Sequence, residues 1–121
     1  MFPSTLRVIE EREFESFRSI RSITFGADSQ LEEIGQRAFY GCALESFSAP
    51  RSLKRIGPLA FGACRKLTDV RLHAGVQELG LLCFWNTAIA TLEILPNVLT
   101  IPGLLGIEQR EAGVVHVPAG V

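Results

Sequence analysis

Three cysteines are the residues of this 121-residue chain best suited to chemistry, and two of them occupy equivalent places in a repeated segment. Cys42 ends the segment Ala38-Phe39-Tyr40-Gly41-Cys42, and Cys64 ends a copy of it twenty-two residues later. If the copies stack as coils, the two cysteines lie one strand spacing apart, roughly 5 Å, which is within disulfide reach. A disulfide between coils is one interpretation. We favour the other, a pair of buried thiols packing as small apolar residues, because the third copy has Thr87 at that place.

The other residues that could form a catalytic or metal site lack the partners that such chemistry requires. His73 and His116 are the only histidines, and their places two coils apart put them roughly 10 Å from each other. We predict solvated surface histidines rather than a shared zinc site, and Cys83, which falls in the alanine column, as a core residue. A nucleophilic cysteine needs a nearby base, and a metal needs further ligands. The sequence therefore predicts no catalytic residue, metal site or cofactor, and a protein that is not an enzyme.

Composition and charge exclude two further classes of function. Net charge is −1 with the signs interspersed, which argues against a nucleic-acid surface. No apolar run approaches the roughly 18 residues that a membrane helix requires, so we expect no membrane insertion. The first residues of the chain have neither the basic nor the apolar part of a signal peptide. On that reading a cytoplasmic location stays open.

The elements that must position these residues are the coils of a repeat protein. Phe39, Phe61 and Phe84 follow one another at steps of 22 and 23 residues (61 − 39 and 84 − 61), and every other apolar column steps in the same way. A fixed period in this range is typical of a solenoid. We predict a mostly β solenoid of about five coils of 22–23 residues, with a parallel sheet along one side and short helical or 3-10 turns. The phenylalanines are expected to stack inside the opposite wall.

The strands are expected where apolar and polar residues alternate. The run from Leu67 to Leu72 ends in such alternation and predicts a strand with one buried face. The run from Leu53 to Ile56 is either another strand or an extended turn. Residues 1–121 are predicted to form one repeat domain, with degenerate coils in 1–30 and 102–121 and well-formed repeats in 31–101. Because neither end carries a polar capping unit, the chain is either a fragment of a longer array, which we favour, or a chain whose ends are covered by a partner. The open ends also predict self-association.

Alternation also predicts which side chains face the solvent on the sheet. One exposed row is expected to comprise Thr24, Ser48, Arg71, Glu93 and His116, and the row beside it Ser22, Ser46, Asp69, Thr91 and Val114. Arg71 is expected to form an exposed ion pair with Glu93. The surface is small, polar and nearly neutral, which suits protein or glycan contact, and solenoids bind partners on such faces. Trp85 is predicted to be either a partly buried wall residue or an exposed aromatic anchor for a partner.

The repeated motif resembles a known family. Ile34-Gly35, Ala38-Phe39 and Cys42, followed by a Leu-x-x-(Val/Phe)-x-(Leu/Ala) run and a proline, resemble leucine-rich repeats of the BspA type, most closely over residues 31–76. The resemblance implies a surface or secreted protein of the kind found in bacteria and parasitic protists. It also implies a non-enzymatic interaction module that mediates adhesion to host-cell or extracellular-matrix proteins. The alternative is an intracellular scaffold or effector that binds a protein partner through the same fold.

Overall fold

Eight short β-strands make up the regular structure of the part of the chain that the structure describes. The computed structural model describes residues 2–73, 75–89, 92–94 and 114–116. The strands are β1 (Val8–Ile9), β2 (Glu33–Ile34), β3 (Ser46–Ser48), β4 (Arg55–Ile56), β5 (Asp69–Arg71), β6 (Glu78–Leu79), β7 (Leu92–Ile94) and β8 (Val114–His116). No helix occurs in these described ranges. The predicted strand-rich solenoid is therefore confirmed.

One side of the solenoid is a continuous parallel sheet of four strands in the order β1-β2-β4-β6, called here the charged sheet. Its register joins Ile9 to Ile34, Ile34 to Ile56, and Ile56 to Leu79. These four side chains are buried. The residue that precedes each of them in its strand is exposed or half-buried. The run Leu53 to Ile56 thus ends in a true strand, which decides between the two interpretations of that segment.

A second side carries the strands that alternation predicts, but its pairing is not continuous. β3 and β5 pair in parallel, with Phe47 opposite Val70 and Ser48 opposite Arg71. In each strand the central residue is buried and its two neighbours are exposed. Farther along, β7 and β8 form a separate two-stranded parallel pair. Strand formation here follows from β-branched and aromatic residues that bury only one face.

The register of β7 and β8 differs by one residue from the predicted alignment. The structure pairs Leu92 with Val114, Glu93 with Val115 and Ile94 with His116. The prediction aligned Glu93 with His116, and it was wrong by one residue, because the last spacing is 22 residues (114 − 92) rather than 23. The side chains of residues 93 and 114–116 lie outside the described residues, so Glu93, Val114 and His116 stay predicted members of the exposed rows.

The third side is a wall of tight turns, called here the turn wall, formed by residues 11–16, 36–41, 58–63 and 81–86. The predicted helical or 3-10 turn is instead a pair of successive turns. Arg37, Leu59 and Leu82 have φ between 54° and 56°, and the turns end on a second left-handed residue such as Gly41. Such φ values are incompatible with a right-handed helical turn.

Hydrogen bonds hold the turn wall together in two directions. Tyr40 N donates to Arg37 O at 3.1 Å within its own coil, whereas Phe39 N donates to Ala60 O of the next coil at 2.8 Å. The same alternation recurs one coil on, where Phe61 N donates to Cys83 O at 2.9 Å. The left-handed residues are therefore tolerated because they let the backbone bond to its own turn and to the adjacent coil.

A ladder of phenylalanine rings lines the inside of the turn wall, as predicted. Phe14, Phe39, Phe61 and Phe84 stack nearly parallel at centroid distances of 5.4, 5.5 and 5.8 Å. Phe47 from β3 leans against Phe61 at 4.7 Å and joins the ladder to the strand side. Phe39, Phe61 and Phe84 are fully buried, and no polar side chain is buried among the described residues. The core is one apolar column shared by all three sides.

A column of glycines lets the coils approach each other beside the charged sheet. A Cβ on Gly57 would lie 2.9 Å from Gln36 N, and a Cβ on Gly80 would lie 2.5 Å from Pro58 N. Both distances are shorter than any real contact of that kind, and the obstructing atoms are backbone. The repeat requires glycine here because of close approach between coils.

Candidate functional site

The cysteines form no reactive site. Cys42, Cys64 and Cys83 are buried and free, which confirms the interpretation as apolar packing residues over the coil-to-coil disulfide. The Cys42 thiol donates to Phe14 O at 3.0 Å, and the Cys64 thiol donates to Phe39 O at 3.1 Å. Each thiol thus bonds to the carbonyl of the phenylalanine one coil back.

Burial keeps these thiols protonated. Desolvation raises the pKa of Cys42, and it raises the pKa of Cys64 to about 12 with a smaller contribution from the neighbouring Cys42 thiol. Burial raises the pKa of Cys83 as well. Because the thiolate and not the thiol is the nucleophile, these cysteines are inert at neutral pH.

His73 is a structural residue, and the prediction of a solvated surface histidine was wrong for it. The ring is half-buried, its Nδ1 accepts a hydrogen bond from Gly75 N at 3.0 Å, and its Nε2 bonds to Pro50 O of the preceding coil. An imidazole can make both contacts because its two nitrogens differ in donor and acceptor role. The side chain of His116 lies outside the described residues. Within the described part of the chain, no group of three or more metal-ligating side chains occurs.

The exposed side of β3 and β5, with the segment before β3, is the surface that the sequence singles out. We call it the polar face and define it by Ser22, Thr24, Ser46, Ser48, Asp69 and Arg71, all of which are exposed. The structure therefore places the described members of the two predicted rows together on one side. Thr91 and the side chain of Glu93 lie outside the described residues. Arg71 pairs with Asp69 of its own strand, at 3.5 Å between Nε and Oδ2, and the predicted ion pair of Arg71 with Glu93 lies outside the described residues.

A groove opens in the polar face between two successive coils. It has a volume of about 480 Å³ and is lined by residues 23–27 on one wall and 48–51 on the other. Thr24 and Ser48, two of the predicted site residues, stand on its opposite walls. Its remaining lining is small or apolar apart from Arg51. The volume lies within the range of roughly 300–1,000 Å³ that is usual for ligand sites.

The charged sheet presents a different kind of surface. Arg55 lies between Glu33 and Glu78 of the neighbouring coils, at 3.0 and 3.9 Å. In the adjacent row Glu32 lies between Arg7 and Lys54, at 4.0 and 3.7 Å. Each charge already has an opposite charge in the next coil, so this surface neutralises itself. Sequence analysis did not identify these rows, although the charges recur in equivalent places of successive repeats.

An aromatic cluster on the turn wall is the clearest surface feature that the prediction left undecided. Trp85 lies on the turn wall with 41% of its surface exposed, so its ring is accessible to solvent. Its ring stacks on Tyr40 at 6.4 Å across the intervening coil, where a Cβ on Gly62 would lie 3.0 Å from the Tyr40 ring. Arg37 covers the Tyr40 ring at 4.7 Å. Trp, Tyr and Arg are the residue types most often found at the centres of protein interfaces.

Taken together, stacked parallel coils, a phenylalanine ladder and an exposed strand face define a leucine-rich-repeat solenoid. The chain belongs to the family of the BspA type leucine rich repeat region, whose profile matches residues 1–104 as six copies. The same fold occurs in a solved structure, described as the crystal structure of pneumococcal vaccine antigen PcpA, with a TM-score of 0.74 and 29% sequence identity. That match covers 79% of this chain and 24% of PcpA, so the chain spans about a quarter of that protein. A search of curated proteins found no match.

No helix in the described residues is long and apolar enough to cross a membrane.

Proposed function

We propose that this chain is a non-enzymatic protein-interaction module whose polar face mediates adhesion to host-cell or extracellular-matrix proteins. The observation that carries the proposal is the contrast between its surfaces. The charged side chains of the charged sheet form ion pairs between coils. On the polar face, by contrast, hydroxyl groups and the Asp69–Arg71 pair are exposed to solvent. Family membership supports a binding role, since repeats of this kind act through extended surfaces.

The adhesive role and the extracellular location draw their support from relatives. PcpA is described as a vaccine antigen of the pneumococcus, which fits a protein presented to a host. The polar face has small side chains and a net charge near zero. It therefore suits contact with a folded protein or a glycan better than contact with nucleic acid. Buried thiols with raised pKa values would survive unpaired outside the cell, because they are shielded from oxidants.

The competing proposal is an intracellular scaffold or effector that binds a protein partner through the same face. Three free cysteines favour it, because thiols persist most readily in reducing compartments. Fractionation of the native cells, followed by surface labelling of intact cells with an impermeant amine reagent, separates the two. Labelling of the intact cells supports the adhesive role, and its absence supports the scaffold.

Binding is tested with purified protein on surfaces coated with fibronectin, laminin and collagen, read by surface plasmon resonance. We expect saturable binding to at least one of them, weakened severalfold by Arg71→Glu because the exposed guanidinium of the polar face is replaced by a carboxylate. Arg65→Glu is the matched control, since Arg65 is exposed but lies outside the polar face. Equal loss in both variants would attribute binding to net charge and would count against this site. Loss in Trp85→Ala alone would move the site to the turn wall.

A further inference from the structure

We propose that the groove between residues 23–27 and 48–51 binds an extended peptide. Its main chain hydrogen-bonds to the groove walls, and its C-terminal carboxylate meets Arg51. This inference rests on the proposed function, because it names a site and a class of partner within the polar face. Three observations carry it: the break in strand pairing that opens the groove, the direction of the main-chain groups along it, and the charge at one end.

The groove is a break in strand pairing, not a dent in a continuous sheet. One wall is paired away from the groove, since Phe2 forms a parallel bridge with Phe25 and Phe2 N donates to Thr24 O at 3.1 Å. The other wall is paired in the opposite direction, since Ala49 N donates to Arg71 O at 2.9 Å. No backbone hydrogen bond joins residues 22–27 to 46–51, all of which are described. Directly before these ranges, Glu45 N still donates to Arg21 O at 3.0 Å, so the two paired blocks separate only beyond that bond and form an unpaired seam there.

The seam presents main-chain donors and acceptors that strand pairing normally satisfies. Alternate residues of a parallel strand direct their N–H and C=O groups to opposite edges. Thr24 bonds toward Phe2, so the peptide groups of Ile23 and Phe25 are directed toward the groove. Ala49 bonds toward Arg71, so the groups of Ser46 and Ser48 are directed toward it from the other side. Extended peptides bind proteins by pairing with exposed edges of this kind.

The seam follows from a difference in the spacing of the repeat. Phe25 and Leu31 are six residues apart, whereas the equivalent residues Ala49 and Leu53 are four apart, so the first turn is two residues longer. That turn closes on itself through Ser29 N and Gly26 O at 3.1 Å. The charged sheet runs unbroken through the same two coils, from β1 to β2 to β4. The coils therefore stay joined along the charged sheet, while on the other side they part beyond the bond from Glu45 N to Arg21 O.

Charge gives the peptide a direction. Arg51 is exposed and is the one charged residue among those that line the groove. Among residues 2–73 and 75–89, no carboxylate lies within ion-pair distance of it. Arg51 lies beyond the C-terminal end of β3, so a peptide running parallel to that strand brings its C-terminus there. A guanidinium is a good partner for a terminal carboxylate.

The test uses a fluorescein-labelled hexapeptide of alternating valine and threonine with a free C-terminal carboxylate, read by fluorescence anisotropy. We expect saturable binding to the folded parent protein, and about fivefold weaker binding of the same peptide with an amidated C-terminus, as loss of one exposed ion pair implies. Arg51→Glu is expected to weaken the free-acid peptide by about the same factor, with Arg65→Glu unchanged. Ser48→Trp should abolish binding by filling the groove, whereas Gln77→Trp, at an exposed residue outside the polar face and the groove lining, should leave it intact.

Circular dichroism first confirms that each variant is folded. Absence of saturable binding by the folded parent, or equal binding by Ser48→Trp, would overturn the proposal. Binding of maltoheptaose that Ser48→Trp abolishes, without any peptide binding, would overturn it in favour of a glycan site. If the peptide fails while Arg71→Glu still weakens binding to matrix proteins, the proposed function stands without this groove.

Discussion

The two strand-bearing sides of this solenoid are built from the same coils and differ in what they leave unsatisfied. On the charged sheet four strands pair without interruption, and Arg55 and Glu32 each bridge both neighbouring coils. On the polar face pairing breaks between Phe25 and Ser48, and the exposed side chains are mostly hydroxyls. One side joins the coils through paired charges, and the other leaves its polar groups exposed to solvent. A solenoid can divide these roles because each coil contributes to every side.

The largest expected loss of stability comes from a substitution in the core, on which both sides depend. Phe61→Ala should cost about 3–5 kcal/mol, because its fully buried ring stacks between Phe39 and Phe84 and contacts Phe47. That is much of the stability of a typical small domain, so both sides should unfold together. Urea unfolding followed by circular dichroism and by the fluorescence of Trp85 measures it. Phe17→Ala is the control, since that ring is half exposed. Equal midpoints for the two variants would contradict the central place of Phe61.

The next largest loss of stability is expected from a substitution in the glycine column beside the charged sheet. Gly57→Ala places a methyl group 2.9 Å from backbone atoms of the preceding coil, and overpacking of this kind costs about 1–3 kcal/mol. Ser46→Ala on the polar face, where the side chain is exposed, should stay within about 0.5 kcal/mol of the parent. Thermal denaturation compares the two. A neutral Gly57→Ala would mean that the coils do not need their close approach beside this sheet.

The polar face has its own structural bond, from His73 to the preceding coil. His73→Phe keeps the ring but loses the bonds to Pro50 O and from Gly75 N, which should cost about 1–2 kcal/mol. Because Pro50 is part of the groove wall, peptide binding should weaken with it. Gln77→Ala, at an exposed side chain in the following turn segment, is the control and should change neither property. A His73→Phe variant as stable as the parent would show that the imidazole does not hold this wall.

Sequence reasoning recovered the features that repeat and missed those that occur once. The phenylalanine ladder and the pairing of Phe47 with Val70 follow from columns of like residues at a fixed period. The left-handed turns do not, because Arg37, Leu59 and Leu82 are residue types that rarely adopt positive φ, and hydrogen bonds between coils impose it.

The exposed residues of the candidate site could be predicted from the repeat, whereas the groove, which occurs only once, could not. Alternation placed Thr24 and Ser48 on one surface, and the structure keeps them there. The groove between them comes from one longer turn, whose two extra residues are visible in the spacing but whose effect on pairing depends on the neighbouring coils. His73 likewise needed the three-dimensional position of Pro50 O before it could be recognised as a structural residue.

The smallest expected loss of stability compares the ion pairs of the charged sheet with the ion pair of the polar face. Arg55→Gln removes the cation between Glu33 and Glu78 and should cost under about 1 kcal/mol, since all three side chains are half exposed. Arg71→Gln should cost less, because its exposed pair with Asp69 lies within one strand and joins no coils. The gap between the two variants in urea midpoint should narrow at high salt, which screens the charged rows. If Arg71→Gln were the more destabilising variant, the polar face would be the side that joins the coils, and the division of roles would be reversed.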